Sequence, residues 1–141
     1  MTTRRAFLSL LALPAATAAA RDDALREAIR EAVGDAVAED GGILLHAPAI
    51  AENGAQVPVT ILVDSPMTAD DHVTAIHVFA TRNATPGIAT FRLTPRLARA
   101  EVRTRIRLAE KQFILVMAQT NDGRVRRGAV EIDVTTGGCV S

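Results

Sequence analysis

Aromatic residues and cysteine are scarce in this chain. Its 141 residues include no tryptophan, no tyrosine, four phenylalanines and one cysteine. With so few rings, stacking on nucleic-acid bases or sugar rings is not expected, and the core must be aliphatic. A single cysteine also excludes an intrachain disulfide. The chain is still long enough to bury one core without such a crosslink.

An excess of charge of either sign is missing as well. The 16 basic residues balance 16 acidic ones, and the formal net charge is +0. Arg4 and Arg5 belong to the signal segment described next, so a chain without it keeps 14 basic against 16 acidic residues. Nucleic acids and membrane surfaces attract proteins with a clustered basic excess, so neither is an expected partner.

The first 20 residues have the pattern of an export signal. Arg4 and Arg5 precede a short apolar segment over 8–13 and then an alanine-rich stretch. The apolar segment is shorter than the roughly 20 residues that a membrane-spanning helix needs. The paired arginines favour a twin-arginine signal, with cleavage before Arg21 or two residues earlier. We therefore expect export to the periplasm and no membrane anchor; a chance basic-apolar start or an anchor is the alternative.

The remaining chain changes from helical to alternating periodicity. Residues 22–39 place apolar side chains on one face of a helix, which we expect to end at Asp40-Gly41-Gly42, with Gly34 weakening it. Beyond Gly42, apolar residues alternate in short segments that are separated by turn residues. The predicted strands cover 43–46, 57–63, 72–80, 88–93, 100–108, 113–120 and 125–135.

Seven strands without intervening helices favour an antiparallel sandwich over a parallel α/β sheet. Asn121-Asp122-Gly123 predicts a tight hairpin between the last two strands. Pro58 lacks an N–H group, so it is expected on an edge or at a strand start. The domain organisation predicted is a signal over 1–20, one domain over 21–134 and a C-terminal arm over 135–141.

An arginine strip lies on one predicted strand. Arg103, Arg105 and Arg107 alternate with Val102, Thr104, Ile106 and Leu108 and should point the same way. One interpretation is a solvated outer face. The other is a positive strip that attracts a small anion or an acidic partner.

Histidines and loop carboxylates are the other candidates for chemistry. The histidines lack the spacing of metal ligands, so neither a metal nor another cofactor is expected. The carboxylates sit in turn sequences, and Asn83 begins a sequon that carries no meaning in a bacterial context. No serine nucleophile motif or phosphate loop is present, so we do not expect an independent enzyme. The residues concerned are His46, His72, His77, Glu52, Asp70 and Asp71.

The cysteine lies near the C-terminus, behind two glycines. Cys139 follows Gly137 and Gly138, whose lack of Cβ atoms makes a narrow, flexible segment. Five extended residues from Val134 to Cys139 reach about 17 Å. A thiol on such an arm can form a mixed disulfide or carry a persulfide in a partner's cleft. The alternative is a cysteine that tethers the protein to another chain through a structural disulfide.

Several segments together resemble the SoxY family of sulfur-carrier subunits. The resemblance runs from about residue 43 to Cys139, and the twin-arginine signal agrees with it. The matching segments are 48–54 (PAIAENG), 57–59 (VPV), 65–68 (SPMT), Asn83, Pro86, 104–109 (TRIRLA), Asp122-Gly123 and 134–139 (VTTGGC).

The resemblance implies an immunoglobulin-like sandwich that binds a SoxZ subunit. It also implies that sulfur is held covalently on Cys139, with Gly137 and Gly138 providing clearance in the partners' channels. A c-type cytochrome would join thiosulfate to that sulfur, and a hydrolase would release sulfate. In some systems a sulfane dehydrogenase oxidises the sulfur that remains. Such a carrier is a substrate of its partner enzymes.

The tail departs from the family pattern after the cysteine. Members of the family end in Gly-Gly-Cys-Gly-Gly, whereas Val140 and Ser141 follow Cys139 here. Valine is β-branched and stiff, and it adds bulk beside the sulfur. The thiol itself is retained, so the departure bears on which enzymes accept the arm.

Overall fold

The structure is a computed structural model that describes residues 15–135. These residues form one helix, α1 (Ala15–Val33), and nine strands. The strands are β1 (Ala38–Asp40), β2 (Ile43–His46), β3 (Ile50–Ala51), β4 (Val57–Val63), β5 (Val73–Ala80), β6 (Gly87–Arg92), β7 (Ala100–Ile106), β8 (Gln112–Thr120) and β9 (Val125–Val134).

Two sheets form a sandwich. The larger has the order β1-β9-β8-β5-β6, with β3 also paired to β9, and the smaller has the order β2-β4-β7. The long pairs are antiparallel, whereas the short strands β1 and β3 run parallel to β9. The all-β, immunoglobulin-like antiparallel sandwich is therefore confirmed, with two short parallel pairs at one edge.

Alternating aliphatic residues fill the space between the sheets. On β4, Val57 and Ile61 are fully buried, and on β8 Ile114 and Val116 are equally inaccessible. Burial of each such side chain contributes about 1.5–3 kcal/mol relative to exposure. The aliphatic core expected from the shortage of aromatic residues is thus confirmed.

All seven predicted strands are present, with bounds shifted by two residues at most. The β8–β9 hairpin is confirmed; its turn places Gly123 at φ 87° and joins the Thr120 N–H to the Arg124 carbonyl at 3.0 Å. Pro58 is the second residue of β4, where only β7 pairs with that strand, because the pairing with β2 stops at Thr60. It therefore lies at a strand start, as expected.

The predicted end of the helix was wrong. Helix α1 ends at Val33, because Gly34 adopts φ 69° and donates its N–H to the Arg30 carbonyl at 2.8 Å. This is a left-handed glycine cap, a common way for a helix to stop. The segment expected to finish the helix instead forms β1 along β9. The helix also begins before residue 22, at Ala15.

Helix α1 covers the outer face of the larger sheet. Its Leu25, Ile29 and Val33 pack on a small cluster that includes Phe79 and Met117. This second cluster is separate from the core between the sheets. Along the described residues, no helix combines the length and the apolar character needed to cross a membrane.

The sandwich has a closed side and an open side. On the closed side the chain crosses from β1 in the larger sheet to β2 in the smaller sheet, and it returns to the larger sheet at β3. Strands β2 and β9 are in close contact there, because a Cβ added to Gly128 on β9 would lie 3.1 Å from the Ile43 Cβ on β2. On the open side, β6 and β7 are the last strands of their respective sheets. A groove of about 460 Å³ runs between them.

Candidate functional site

The cysteine predicted to hold the sulfur, and the two glycines before it, lie beyond the described part of the chain. Cys139, Gly137 and Gly138 are all outside residues 15–135. What the structure does show is the place where the arm begins, at Val134 and Thr135. The candidate site is therefore this origin of the arm and the residues around it.

Strand β3 fixes the last residues of β9. The Asp133 N–H donates to the Ala49 carbonyl at 2.9 Å, and the Thr135 N–H donates to the Ala51 carbonyl at 3.0 Å. The Thr135 hydroxyl also donates to the Ala51 carbonyl, at 3.4 Å. Because these bonds follow one another along the chain, β9 stays ordered to its end and the arm leaves from a fixed point.

Gly54 permits a close approach beside this point. Its carbonyl accepts the Leu108 N–H at 2.7 Å. A Cβ at residue 54 would stand 2.5 Å from the Leu108 carbonyl oxygen and 3.0 Å from Val134 Cγ1. Asn53 shapes the preceding turn, since its side-chain oxygen accepts the Ala55 N–H at 3.0 Å.

A groove of about 410 Å³ surrounds the origin of the arm. It joins three segments that are far apart in the sequence and that all belong to the family resemblance. Glu52, interpreted from the sequence as a turn residue, also lies here. The lining residues are Glu52, Asn53, Gly54, Ala55, Arg107, Leu108, Ala109, Val134 and Thr135.

The side-chain amides of Asn83 and Gln112 hold the backbone next to this groove. Asn83 donates from Nδ2 to the Arg107 carbonyl at 2.7 Å, and its Oδ1 accepts from the Ala109 N–H at 3.1 Å and from Gln112 Nε2 at 2.9 Å. Gln112 is 2% exposed, and its Oε1 accepts the Arg82 N–H at 2.8 Å. Sequence reasoning missed this network, because residues 24 to 30 positions apart meet only in the folded chain.

The arginine strip lies on an exposed outer face. Arg103 donates from Nε to Glu101 Oε1 at 2.7 Å, and Arg105 donates to Gln56 Oε1 at 3.2 Å. Arg107 follows β7 and contributes to the groove at the arm. The structure thus places all three side chains in solvent, as the sequence indicated. Their role in attracting an anion or a partner stays a prediction.

The three histidines lie in different parts of the sandwich. His77 is 5% exposed, with Nδ1 at 3.0 Å from Thr90 Oγ1 and Nε2 at 2.9 Å from Gln119 Oε1. His72 Nδ1 lies 3.0 Å from the Thr68 carbonyl, and His46 ends β2 in an exposed position. Over residues 15–135, no group of three or more His, Cys, Asp and Glu side chains could hold a metal ion.

Perturbed carboxyl groups lie at the far end of β9. Asp122 accepts hydrogen bonds from the Thr120 hydroxyl and from the Arg124 N–H, and these lower its pKa to about 2. The Arg127 guanidinium likewise lowers the pKa of Asp40, through two bonds of 2.7 and 2.9 Å. Asp122 lies in the turn before β9, and Asp40 ends β1 beside the start of β9, so both carboxyl groups lie away from the arm.

Comparison with known proteins identifies the family of the chain. The family model described as "Sulfur oxidation protein SoxY" matches residues 29–139, a span that includes the cysteine. The solved structure of the sulfur carrier protein SoxY from Chlorobium limicola is 34% identical, with a TM-score of 0.68. That match covers 81% of this chain and 98% of the Chlorobium chain.

More distant structures share the fold alone. A superoxide reductase (neelaredoxin) from Ignicoccus hospitalis is 16% identical, with a TM-score of 0.60, and the match covers 67% of this chain and 81% of that one. A superoxide reductase from Nanoarchaeum equitans is 11% identical, with a TM-score of 0.57, and the match covers 69% and 99%. None of the curated proteins matches the chain.

Proposed function

The chain belongs to the SoxY family of sulfur oxidation proteins, and from that membership we propose that it is a sulfur-carrier subunit. It holds thiosulfate-derived sulfur covalently on Cys139 and presents it to partner enzymes. The observation that carries this proposal is the convergence of three family segments on the origin of the arm that bears the one cysteine.

The chemistry at Cys139 is supplied by the partners. The thiol gives up its proton, a c-type cytochrome takes two electrons, and a sulfur–sulfur bond forms between Cys139 and thiosulfate. A hydrolase then adds water to the terminal sulfone and releases sulfate, which leaves a persulfide on the cysteine. The carrier contributes a thiol that is accessible on a narrow arm.

Partners and location belong to the same proposal. The subunit pairs with a SoxZ-like protein and works in the periplasm, after export by the twin-arginine route. The paired arginines Arg4 and Arg5 support the route. Transfer of a cargo between several enzymes requires an arm that reaches beyond the sandwich, and the chain has six residues after Thr135.

A second function has one observation in its favour. Val140 stands where a glycine is expected, and its bulk beside the sulfur suits a fixed contact better than repeated passage through narrow channels. In that case Cys139 forms a structural disulfide with one partner, and the sandwich is an interaction module.

Intact-protein mass spectrometry distinguishes the two functions. We expect the native protein to carry sulfur-atom or thiosulfonate increments on the Cys139 peptide, which a reductant removes. A disulfide with one fixed partner, inert to sulfur donors, would support the interaction module instead.

Cys139→Ser is the matching variant. We expect it to abolish loading by thiosulfate and a c-type cytochrome, because serine cannot form the sulfur–sulfur bond. Unfolding and binding to the SoxZ-like subunit should be unchanged, since residue 139 lies beyond the sandwich. Loading that persists in this variant contradicts the carrier proposal.

A further inference from the structure

We propose that the free edge of β7 accepts an extended strand from the partner subunit. That strand carries acidic side chains on its outer face and small or apolar ones on its inner face. The inference rests on the proposed function for the existence of the partner, and it adds the surface and the chemistry of the contact.

The open side of the sandwich leaves part of the core uncovered. Ile88 and Phe91 on β6 and Val102 on β7 pack against the core but remain partly exposed. The inner residues of central strands, such as Ile61 and Ile114, are fully inaccessible. Apolar side chains in this position gain free energy when another chain covers them.

A groove receives the inner face of the incoming strand. It has a volume of about 460 Å³, and it runs between Ile88 and Ala89 on one side and Thr104 and Ile106 on the other. These four residues are apolar or small, so short apolar side chains fit between them, and Asn83, Arg105 and Arg107 also line the groove. Because Arg105 and Arg107 belong to the same lining, acidic side chains on the incoming strand are favoured over basic ones.

The backbone of β7 is available on this side. Residues Ala100–Ile106 pair along their whole length with β4, and β7 is the last strand of its sheet. Alternate N–H and C=O groups of such an edge face outward and can pair with an added strand. The edge of β9 differs, because β1 and β3 cover its two ends.

Charge selects β7 over the neighbouring edge of β6. Arg103 and Arg105 project from the outer face of β7, and among the described residues Arg105 and Arg107 form no ion pair. Side chains directly opposite on paired strands lie about 4.5–5.5 Å apart, and opposite charges there stabilise the pair. An acidic outer face is therefore the complement that this edge requires. Strand β6 carries one arginine, Arg92.

Titration calorimetry with the SoxZ-like subunit tests the surface. We expect Arg105→Glu to raise the Kd for the SoxZ-like subunit at least tenfold. Arg92→Glu makes the same change of charge at an exposed position on β6, and it should alter the Kd less than twofold. Equal effects of the two variants would overturn the inference, because they would indicate a general effect of net charge.

Hydrogen exchange locates the contact independently of any substitution. In the wild-type complex, amides of β7 should become protected, whereas those of β2, the other edge of the same sheet, should not. Protection confined to β2 or to α1 overturns the inference and leaves the carrier proposal intact. Protection of the β7 amides when the isolated chain dimerises without the subunit also overturns the inference, since a second copy of the chain would then occupy the edge. Failure of the wild-type chain to bind the subunit contradicts the partner proposed above.

Discussion

Two side-chain amides define the origin of the arm at the level of single residues. Asn83 bonds to the backbone of Arg107 and Ala109, and Gln112 donates to the Glu110 carbonyl, so both amides hold the segment after β7. Buried amides that lose such partners destabilise a protein by about 1–3 kcal/mol. The groove beside Thr135 therefore depends on residues that do not line it.

Asp122 gives the β8–β9 turn a contribution to stability that depends on pH. Its pKa is about 2 in the folded chain, because the Thr120 hydroxyl and the Arg124 N–H donate to its carboxylate. An unperturbed aspartate has a pKa near 3.9. The folded pKa is the lower one, so Asp122 stabilises the fold above about pH 3.9, and this contribution is lost as the pH falls through about 2.

An NMR titration of the carboxyl carbon measures this effect. We expect an Asp122 midpoint near 2 in the wild type, and a higher midpoint in Thr120→Val, which removes the first donor. Urea unfolding of Asp122→Asn should show a weaker loss of stability between about pH 4 and pH 2 than the wild type. A wild-type midpoint near 3.9 would contradict the prediction.

Single residues were only partly predictable from the sequence. Cys139 and the arginine strip stand out by rarity and by alternation, which are local properties. Neither property reveals the structural role of Asn83, because its hydrogen-bond partners, the Arg107 carbonyl and Gln112, are distant in the sequence. His77 likewise becomes a buried, hydrogen-bonded residue only once β6 and β8 bring Thr90 and Gln119 to it.

At the level of elements, the sequence predicts long strands better than short ones. Seven strands have enough alternation to be recognised, whereas β1 and β3 have three and two residues and exist because β9 offers them an edge. The end of α1 was predicted too late because that prediction, too, depended on a pairing between distant segments. Gly34 and Gly41-Gly42 are both plausible stops, and the pairing of β1 with β9 decides between them.

The junction of β3, β7 and β9 should be sensitive to one methyl group. In Gly54→Ala the new Cβ would stand 2.5 Å from a backbone oxygen, so the chain must move. Overpacking of this kind costs about 1–3 kcal/mol. Gly87→Ala is the matched control, since its nearest neighbour is Phe79 Cε1 at 4.0 Å.

Urea unfolding of the two alanine variants compares their stabilities. We expect Gly54→Ala to lower the free energy of unfolding by about 1–3 kcal/mol. Gly87→Ala should leave it within about 1 kcal/mol of the wild type. Equal stabilities of the two variants would show that the junction tolerates the added methyl group.

For the molecule as a whole, the fold is stabilised without an intrachain disulfide. One cysteine cannot form an intrachain disulfide, so the thermal midpoint of the monomer should be the same with and without reductant. Differential scanning calorimetry of the isolated subunit measures both midpoints. A midpoint that falls when reductant is added to the native preparation would indicate a stabilising disulfide with another chain, as the interaction-module alternative requires.

The attachment of the arm also has a mechanical consequence. An enzyme that grips Cys139 and pulls transmits the force to the end of β9, which is bonded to β8 along one edge and to β3 at the end of the other. Hydrogen bonds in both ladders run across the strand, so a pull along its axis shears many of them at once. Under the proposed function, this arrangement protects the sandwich from unfolding from its C-terminus when partner enzymes pull on the arm.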